Sequence, residues 1–202
     1  IVFPWRSASA IRTPGEELEI LYDGNEAEVI HNLELIGPYN RVALDILDSQ
    51  YGSFVYDEPS NSSVNRRIVT QIPDGTPREL YDLSIETLLK TTTSQRSVQV
   101  IDEYKTRYTL VHRTDPHVCR EFIGGFGNEL LYLEKIIETV NIIGPEFVIC
   151  TGDAIMHYSN PDHNETYPPI DEVWSNFYDG AGGHLGMKHL DVPIFVSPGG
   201  HD

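Results

Sequence analysis

The chain has 202 residues, 40% hydrophobic and 22% charged, and its 31 acidic and 14 basic side chains give a formal net charge of −17. This charge disfavours nucleic acid and anionic membrane surfaces as partners. No apolar run approaches the roughly 20 residues that span a bilayer, and two cysteines are too few for a disulfide-dense scaffold or a cysteine-rich zinc site. We therefore expect no nucleic-acid partner and no membrane insertion.

Residues 1–105 have the pattern of an antiparallel β-sandwich. Short runs with β-branched residues alternate with turn signals, for example at residues 13–15, 23–25 and 73–77. The predicted strands are residues 17–22, 28–31, 41–44, 67–70, 81–87 and 97–101. Residues 79–90 would also fit a helix, but alternation within them favours a strand. Strands at this spacing predict an all-β, immunoglobulin-like sandwich domain.

Aromatic residues in this first part have two interpretations. They could form the core of the sandwich, or they could be an exposed patch on a binding module. We expect core positions, because large aromatic side chains bury the most apolar surface. The residues concerned are Trp5, Tyr51, Phe54 and Tyr56.

Residues 106–202 change to an alternation of strands and helices. Apolar runs predict strands at residues 108–112, 147–150 and 193–196, while a 3.6-residue apolar period predicts a helix over 128–143 and a second helix starts near Asp171. Continuous apolar runs are typical of parallel strands covered on both faces. We therefore predict an α/β domain, truncated at residue 202, with ligands bound at the carboxyl ends of its strands.

Polar motifs follow each of these three strands. Asp115 and His117 come after the first strand, Asp153 after the second, and residues 199–202, with His201 and Asp202, after the third. In an extended segment, side chains at i and i+2 point the same way, so Asp115 and His117 could reach one metal ion. Carboxylate and imidazole ligands suit Zn, Fe or Mn better than Ca.

These motifs resemble those of the calcineurin-like metallophosphoesterase family, D-x-H, then G-D, then G-N-H-D/E, over about residues 106–202. The resemblance implies that Asp115 and His117 bind one divalent metal ion and that Asp153 bridges it to a second. It implies that His201 acts beside the phosphate as a proton donor or charge stabiliser, oriented by Asp202. The cofactors would be two divalent ions (Mn, Fe or Zn), and the substrate a phosphorylated small molecule.

The chain departs from the family pattern at two points. Gly200 stands where the family has a metal-binding Asn, which weakens the second metal site. The later histidine motifs of the family are not in this sequence, so residues beyond it, in a second polypeptide or a missing half, would complete the site. A sandwich before such a domain is similar to purple acid phosphatases, but His117 and Met156 replace the Gly and Tyr of their motifs.

The sequence thus predicts a metal-dependent hydrolase of phosphomonoesters or phosphodiesters, with domains at residues 1–105 and 106–202. The alternatives are a non-catalytic scaffold of the same fold and a surface-binding protein acting through its sandwich. Sequons at Asn61 and Asn164 favour an extracellular or cell-surface location, and a disulfide between Cys119 and Cys150 is open. Other polar residues are expected to be structural or solvated, namely His31, His112, His157, Asp162, His163, His184 and His189.

Overall fold

A computed structural model describes residues 1–25, 28–57, 62–118, 129–155 and 169–200. The chain divides into two compact units, Ile1–Thr106 and Arg107–Asp202. Each unit has its own hydrophobic core. They are described separately below.

The first unit consists of two β-sheets around one core. Its strands are β1 (Ala10–Arg12), β2 (Glu17–Tyr22), β3 (Ile30–Ile36), β4 (Arg41–Ala43), β5 (Ile46–Asp57), β6 (Ser62–Gln71), β7 (Leu80–Thr87) and β8 (Thr91–Val100). One sheet has the order β1-β8-β7-β3-β4 and the other the order β2-β6-β5. All pairs are antiparallel except β1 with β8.

Alternating burial explains why these segments pair as they do. In β2, Leu18, Ile20 and Tyr22 are buried, while the residues between them are more exposed. They pack with Leu83 and Ile85 of β7, from the other sheet, in a single cluster. Because side chains alternate along a strand, one apolar face of each sheet is enough to close this core.

The aromatic residues expected in the core are largely outside it. Trp5, Tyr51 and Tyr56 are exposed, and Phe54 is half-buried. The prediction of core positions is therefore wrong for the first three. The core is instead filled by aliphatic side chains with Tyr22 and Tyr81, which leaves these rings at the surface.

The second unit contains one small parallel sheet and two helices among its described residues. Its elements are β9 (Leu110–Thr114), α1 (Glu129–Ile143), β10 (Phe147–Thr151), α2 (Ile170–Asp179), a 3-10 turn (Met187–His189) and β11 (Ile194–Ser197). The sheet order is β11-β10-β9, with both pairs parallel. No helix within the described residues is long and apolar enough to cross a membrane.

The predicted fold class, an immunoglobulin-like sandwich followed by an α/β domain of the metallophosphoesterase type, is wrong. The described chain is mostly β, with 45% strand, 16% helix and three sheets. The first unit is compatible with an immunoglobulin-like sandwich. The apolar runs of the second half predict strands covered on both faces, but β10 buries only Val148 and Cys150, and β9 has no fully buried residue. The helices pack with Val148 and Cys150 on one face of the sheet.

A tight loop follows α2 and fixes the path of the chain to β11. A Cβ on Gly186 would lie 2.5 Å from the carbonyl carbon of Tyr178 and would also overlap the backbone nitrogen of Gly180. Gly186 has φ −104°, a value that any residue can adopt. Glycine is required at this position because there is no space for a Cβ atom. His184 Nδ1 lies 2.8 Å from Glu134 Oε2 of α1, and this contact ties the loop to the helix.

Glu28 of the first unit is a buried carboxylate that accepts three hydrogen bonds. Thr87 Oγ1 donates at 2.6 Å, and the Tyr22 hydroxyl and the Asn25 backbone N–H each donate at 3.2 Å. These bonds, that from Thr87 first, hold the pKa of Glu28 below its ordinary value of 4.5 although burial opposes them. The charged form of Glu28 therefore stabilises the folded unit.

We expect Glu28→Gln to flatten the acid limb of the stability curve. Since the pKa of Glu28 is lowered on folding, its contribution is complete above the unfolded value and disappears as the pH falls through the folded value. Urea denaturation of the wild type should thus show a steeper loss of unfolding free energy below about pH 5 than the variant. Glu86→Gln, at an exposed position of β7, is the control and should keep the wild-type slope. Equal slopes for Glu28→Gln and wild type would contradict the assignment.

Candidate metal-binding site

The candidate site lies where β9 and β10 end side by side. Thr114, the last residue of β9, pairs with Thr151, the last residue of β10. Asp115 and His117 follow the first strand, and Asp153 follows the second. Because the strands are parallel, the polar segments after them leave the sheet at the same edge.

Backbone hydrogen bonds continue past the strands and hold the two segments together. The N–H of Asp115 donates to Gly152 O at 3.2 Å, and the N–H of His117 donates to Asp153 O at 2.9 Å. The N–H of Gly152 donates to Ser197 O of β11 at 2.8 Å. The segment with Asp153 is thus fixed from both sides.

The three predicted metal ligands come together in space. Asp115, His117 and Asp153 each offer one ligand atom, and these atoms lie within 4.8 Å of one another. His117 Nε2 is 2.7 Å from Asp115 Oδ1 and 3.9 Å from Asp153 Oδ2. Their side chains are 59%, 32% and 24% exposed in chain order. A cation could therefore reach the cluster from solvent while two of its ligands stay partly shielded.

The backbone at these same residues is strained. Asp115, His117 and Asp153 have φ of 61°, 45° and 49°, in the left-handed region that non-glycine residues rarely adopt. Arg96, in the first unit, is the other described non-glycine residue with positive φ. Such conformations cost roughly 1–3 kcal/mol each and concentrate at functional sites. Asp and His tolerate this conformation better than most residue types, and all three of these positions belong to the candidate site.

Gly199, just past β11, is packed against the Asp153 segment. A Cβ at Gly199 would overlap the backbone nitrogen and Oδ1 of Asp153 and would lie 2.7 Å from Gly152 Cα. A Cβ at the next residue, Gly200, would meet nothing within 4 Å. The third motif therefore supports the carboxylate of Asp153 through close backbone approach at Gly199.

We expect Gly199→Ala to weaken Mn²⁺ binding by about 10–100-fold, the range measured for residues that orient metal ligands. The added methyl group would displace Asp153, and titration calorimetry on the full chain would measure the change in affinity. Gly200→Ala is the matched control, because its Cβ enters open space, and it should bind as the wild type does. Wild-type affinity in Gly199→Ala would show that Asp153 does not depend on this contact.

The donor set fits one divalent cation. Two carboxylates and one imidazole are ligands that Zn, Fe and Mn accept, and two carboxylates held this close together favour a positive charge between them. Within the described ranges, this is the one cluster of three such side chains. Gly200 offers no side chain, so a second cation would need ligands from residues that the structure does not describe.

Several predicted residues lie outside the described ranges. The two residues assigned to catalysis, His201 and Asp202, are among them. The others are Asn61, Cys119, Met156, His157, Asp162, His163 and Asn164. Whether Cys119 and Cys150 form a disulfide therefore stays an open question, and Cys150 is buried in β10.

Residues outside the predicted ligand set support the strand ends, among them His112, which the sequence predicts to be structural or solvated. His112 Nε2 lies 2.7 Å from Thr151 Oγ1, and Thr114 Oγ1 donates to Thr151 O at 2.8 Å. Arg113 is half-buried, and desolvation lowers its pKa. The sequence does carry a signal for Arg113. It is a charged residue directly after a predicted strand, two positions before Asp115, and this could have marked it as a residue that supports the site.

Comparison with known proteins gives no family assignment. No protein-family model matches the chain, and no curated protein matches it. A crystal structure of amylomaltase from Corynebacterium glutamicum is similar over 76% of this chain, with a TM-score of 0.34 and 13% sequence identity. The chain covers 21% of that protein's length. A similarity at this level carries no argument about fold or function.

Proposed function

We propose that this chain binds a divalent metal ion through Asp115, His117 and Asp153 and takes part in the hydrolysis of phosphomonoesters or phosphodiesters. The observation that supports this most is the convergence of three ligand atoms within 4.8 Å from two separate motifs. The strained backbone at the same residues adds to it. The resemblance of the motifs to the calcineurin-like metallophosphoesterases is part of the proposal.

The charge of the protein makes a cation necessary for this chemistry. With a net charge of −17, the chain repels a phosphate ester, and the carboxylates of Asp115 and Asp153 add local repulsion. A divalent cation held by them would cancel the charges of the two carboxylates and present its own charge to a phosphoryl oxygen. The chemistry it supplies is polarisation of a phosphoryl oxygen and activation of water for attack.

The residues have distinct roles in this proposal. Asp115 and His117, fixed by their backbone bonds to the Asp153 segment, hold the cation. Asp153 completes the set and would bridge this cation to a second one. His201 would deliver a proton to the leaving oxygen, and Asp202 would hold the imidazole in the required tautomer. These last two roles rest on the motif resemblance alone.

Turnover of two aryl phosphates tests the proposal. Because the sequence predicts that further residues complete the site, the chain together with those residues, loaded with Mn²⁺ or Zn²⁺, should hydrolyse p-nitrophenyl phosphate or bis(p-nitrophenyl) phosphate. Asp115→Ala should lower the rate at least about 100-fold, the size of a typical general acid–base or electrostatic contribution. Asp48→Ala, on exposed β5, is the control. Metal binding without turnover of either ester would instead favour the non-catalytic scaffold.

A further inference from the structure

A groove of about 280 Å³ lies on the first unit, between a tight turn and strand β8. It is lined by Ile1, Trp5, Arg6 and residues 92–95. Its size is just below the roughly 300–1,000 Å³ of small-molecule sites. It could hold a short stretch of a chain-like ligand.

The turn that carries Trp5 is held in place by hydrogen bonds. Trp5 and Ala8 exchange backbone bonds of 3.4 and 2.9 Å, and Ser94 Oγ of β8 donates to Pro4 O at 2.8 Å. Pro4 and Ser94 are both buried. The backbone of Trp5 is therefore held by hydrogen bonds, while its indole side chain is exposed to solvent.

We propose that this groove binds a neutral oligosaccharide, with a sugar ring stacked on Trp5. A pyranose ring has one face of C–H groups, which packs on a flat aromatic surface, and hydroxyl groups around its edge. Trp is the side chain that offers the largest such surface. Arg6, Thr93 and Gln95 line the same groove and carry the planar and hydroxyl donors and acceptors that sugar hydroxyls require.

Charge and composition favour this ligand over others. A net charge of −17 disfavours acidic or sulfated glycans and nucleic acid at long range, while Arg6 and the amino group of Ile1 are the charged groups of the groove itself. A proline-rich peptide would also pack on Trp5, but such peptides use grooves lined by several aromatic rings. Here Trp5 is the one aromatic residue of the lining, and five of the other six lining residues have polar side chains.

Intrinsic fluorescence can report on this groove alone. The sequence has two tryptophans, and Trp174→Phe leaves Trp5 as the single emitter in the full chain. Cellohexaose, maltohexaose and chitohexaose are titrated separately, with hexaproline as a fourth probe. We expect a saturable change in Trp5 emission with at least one of the sugars and none with hexaproline.

Calorimetry with the responding sugar tests the residues. Trp5→Ala and Gln95→Ala should each weaken binding at least about tenfold, as truncation of a central contact does. Tyr39→Ala removes an aromatic side chain that is 90% exposed and does not line the groove, so it should bind as the wild type does. The proposal is overturned if no sugar gives a saturable change, if only hexaproline does, or if Trp5→Ala and Gln95→Ala both keep wild-type affinity.

Discussion

Asp153→Ala should lower the affinity for Mn²⁺ at least about 100-fold, beyond the 10–100-fold effect of residues that merely orient ligands. Asp153 is the least exposed of the three ligands, and its segment is bonded to both β9 and β11. Loss of its carboxylate leaves Asp115 and His117 as the remaining members of the described ligand set. Titration calorimetry on the full chain measures the effect.

Asp191→Ala is the control for this prediction. Asp191 is an exposed carboxylate of the same unit and lies outside the cluster. The substitution Asp191→Ala therefore removes the same charge as Asp153→Ala without removing a ligand. If Asp191→Ala and Asp153→Ala weaken binding equally, the net charge rather than the cluster determines affinity. The assignment of Asp115, His117 and Asp153 as the metal ligands would then be wrong.

Gly186→Ala should destabilise the second unit by about 3 kcal/mol, the upper range for overpacking a closed site. Its Cβ would meet backbone atoms of Tyr178 and Gly180, which cannot rotate away as a side chain could. The loop would open, and its contact between His184 and Glu134 would be lost. Urea denaturation in a Trp5→Phe background, followed by the fluorescence of Trp174, reports on this unit.

Gly200→Ala serves as the matched control for Gly186→Ala. Both substitutions add one methyl group, but only Gly186 is enclosed by backbone. The control should unfold within about 0.5 kcal/mol of the wild type, as surface substitutions usually do. Equal stability of Gly186→Ala and wild type would show that the loop repacks freely.

The sequence predicted strands and helices better than it predicted architecture. Predicted and observed elements overlap at α1, β2 and β10, where periodicity is strong. Strand β5 (Ile46–Asp57) was not predicted, because Gly52 and several small polar residues interrupt its apolar pattern. Its extended conformation is stabilised by antiparallel pairing with β6. The error in fold class came from apolar runs, whose composition does not tell whether one or both faces are covered.

The candidate site was partly predictable. Strand order and parallel pairing place Asp115 and Asp153 at one sheet edge. His117 lies beside them, but not for the predicted reason, because Asp115 and His117 have left-handed φ values and the segment is not extended. The left-handed φ values and the close approach of Gly199 could not be predicted, because both arise from tertiary contacts. The exposure of Trp5 was also missed, since a large aromatic ring is favoured in a core by composition alone.

X-ray absorption at the zinc edge tests the central claim most directly. The full chain loaded with one equivalent of Zn²⁺ should show a shell of oxygen and nitrogen atoms at about 2.0–2.2 Å that includes one imidazole. In His117→Ala the imidazole signature should vanish. A shell without imidazole in the wild type, or an imidazole that persists in His117→Ala, would contradict the assignment of this cluster as the metal site.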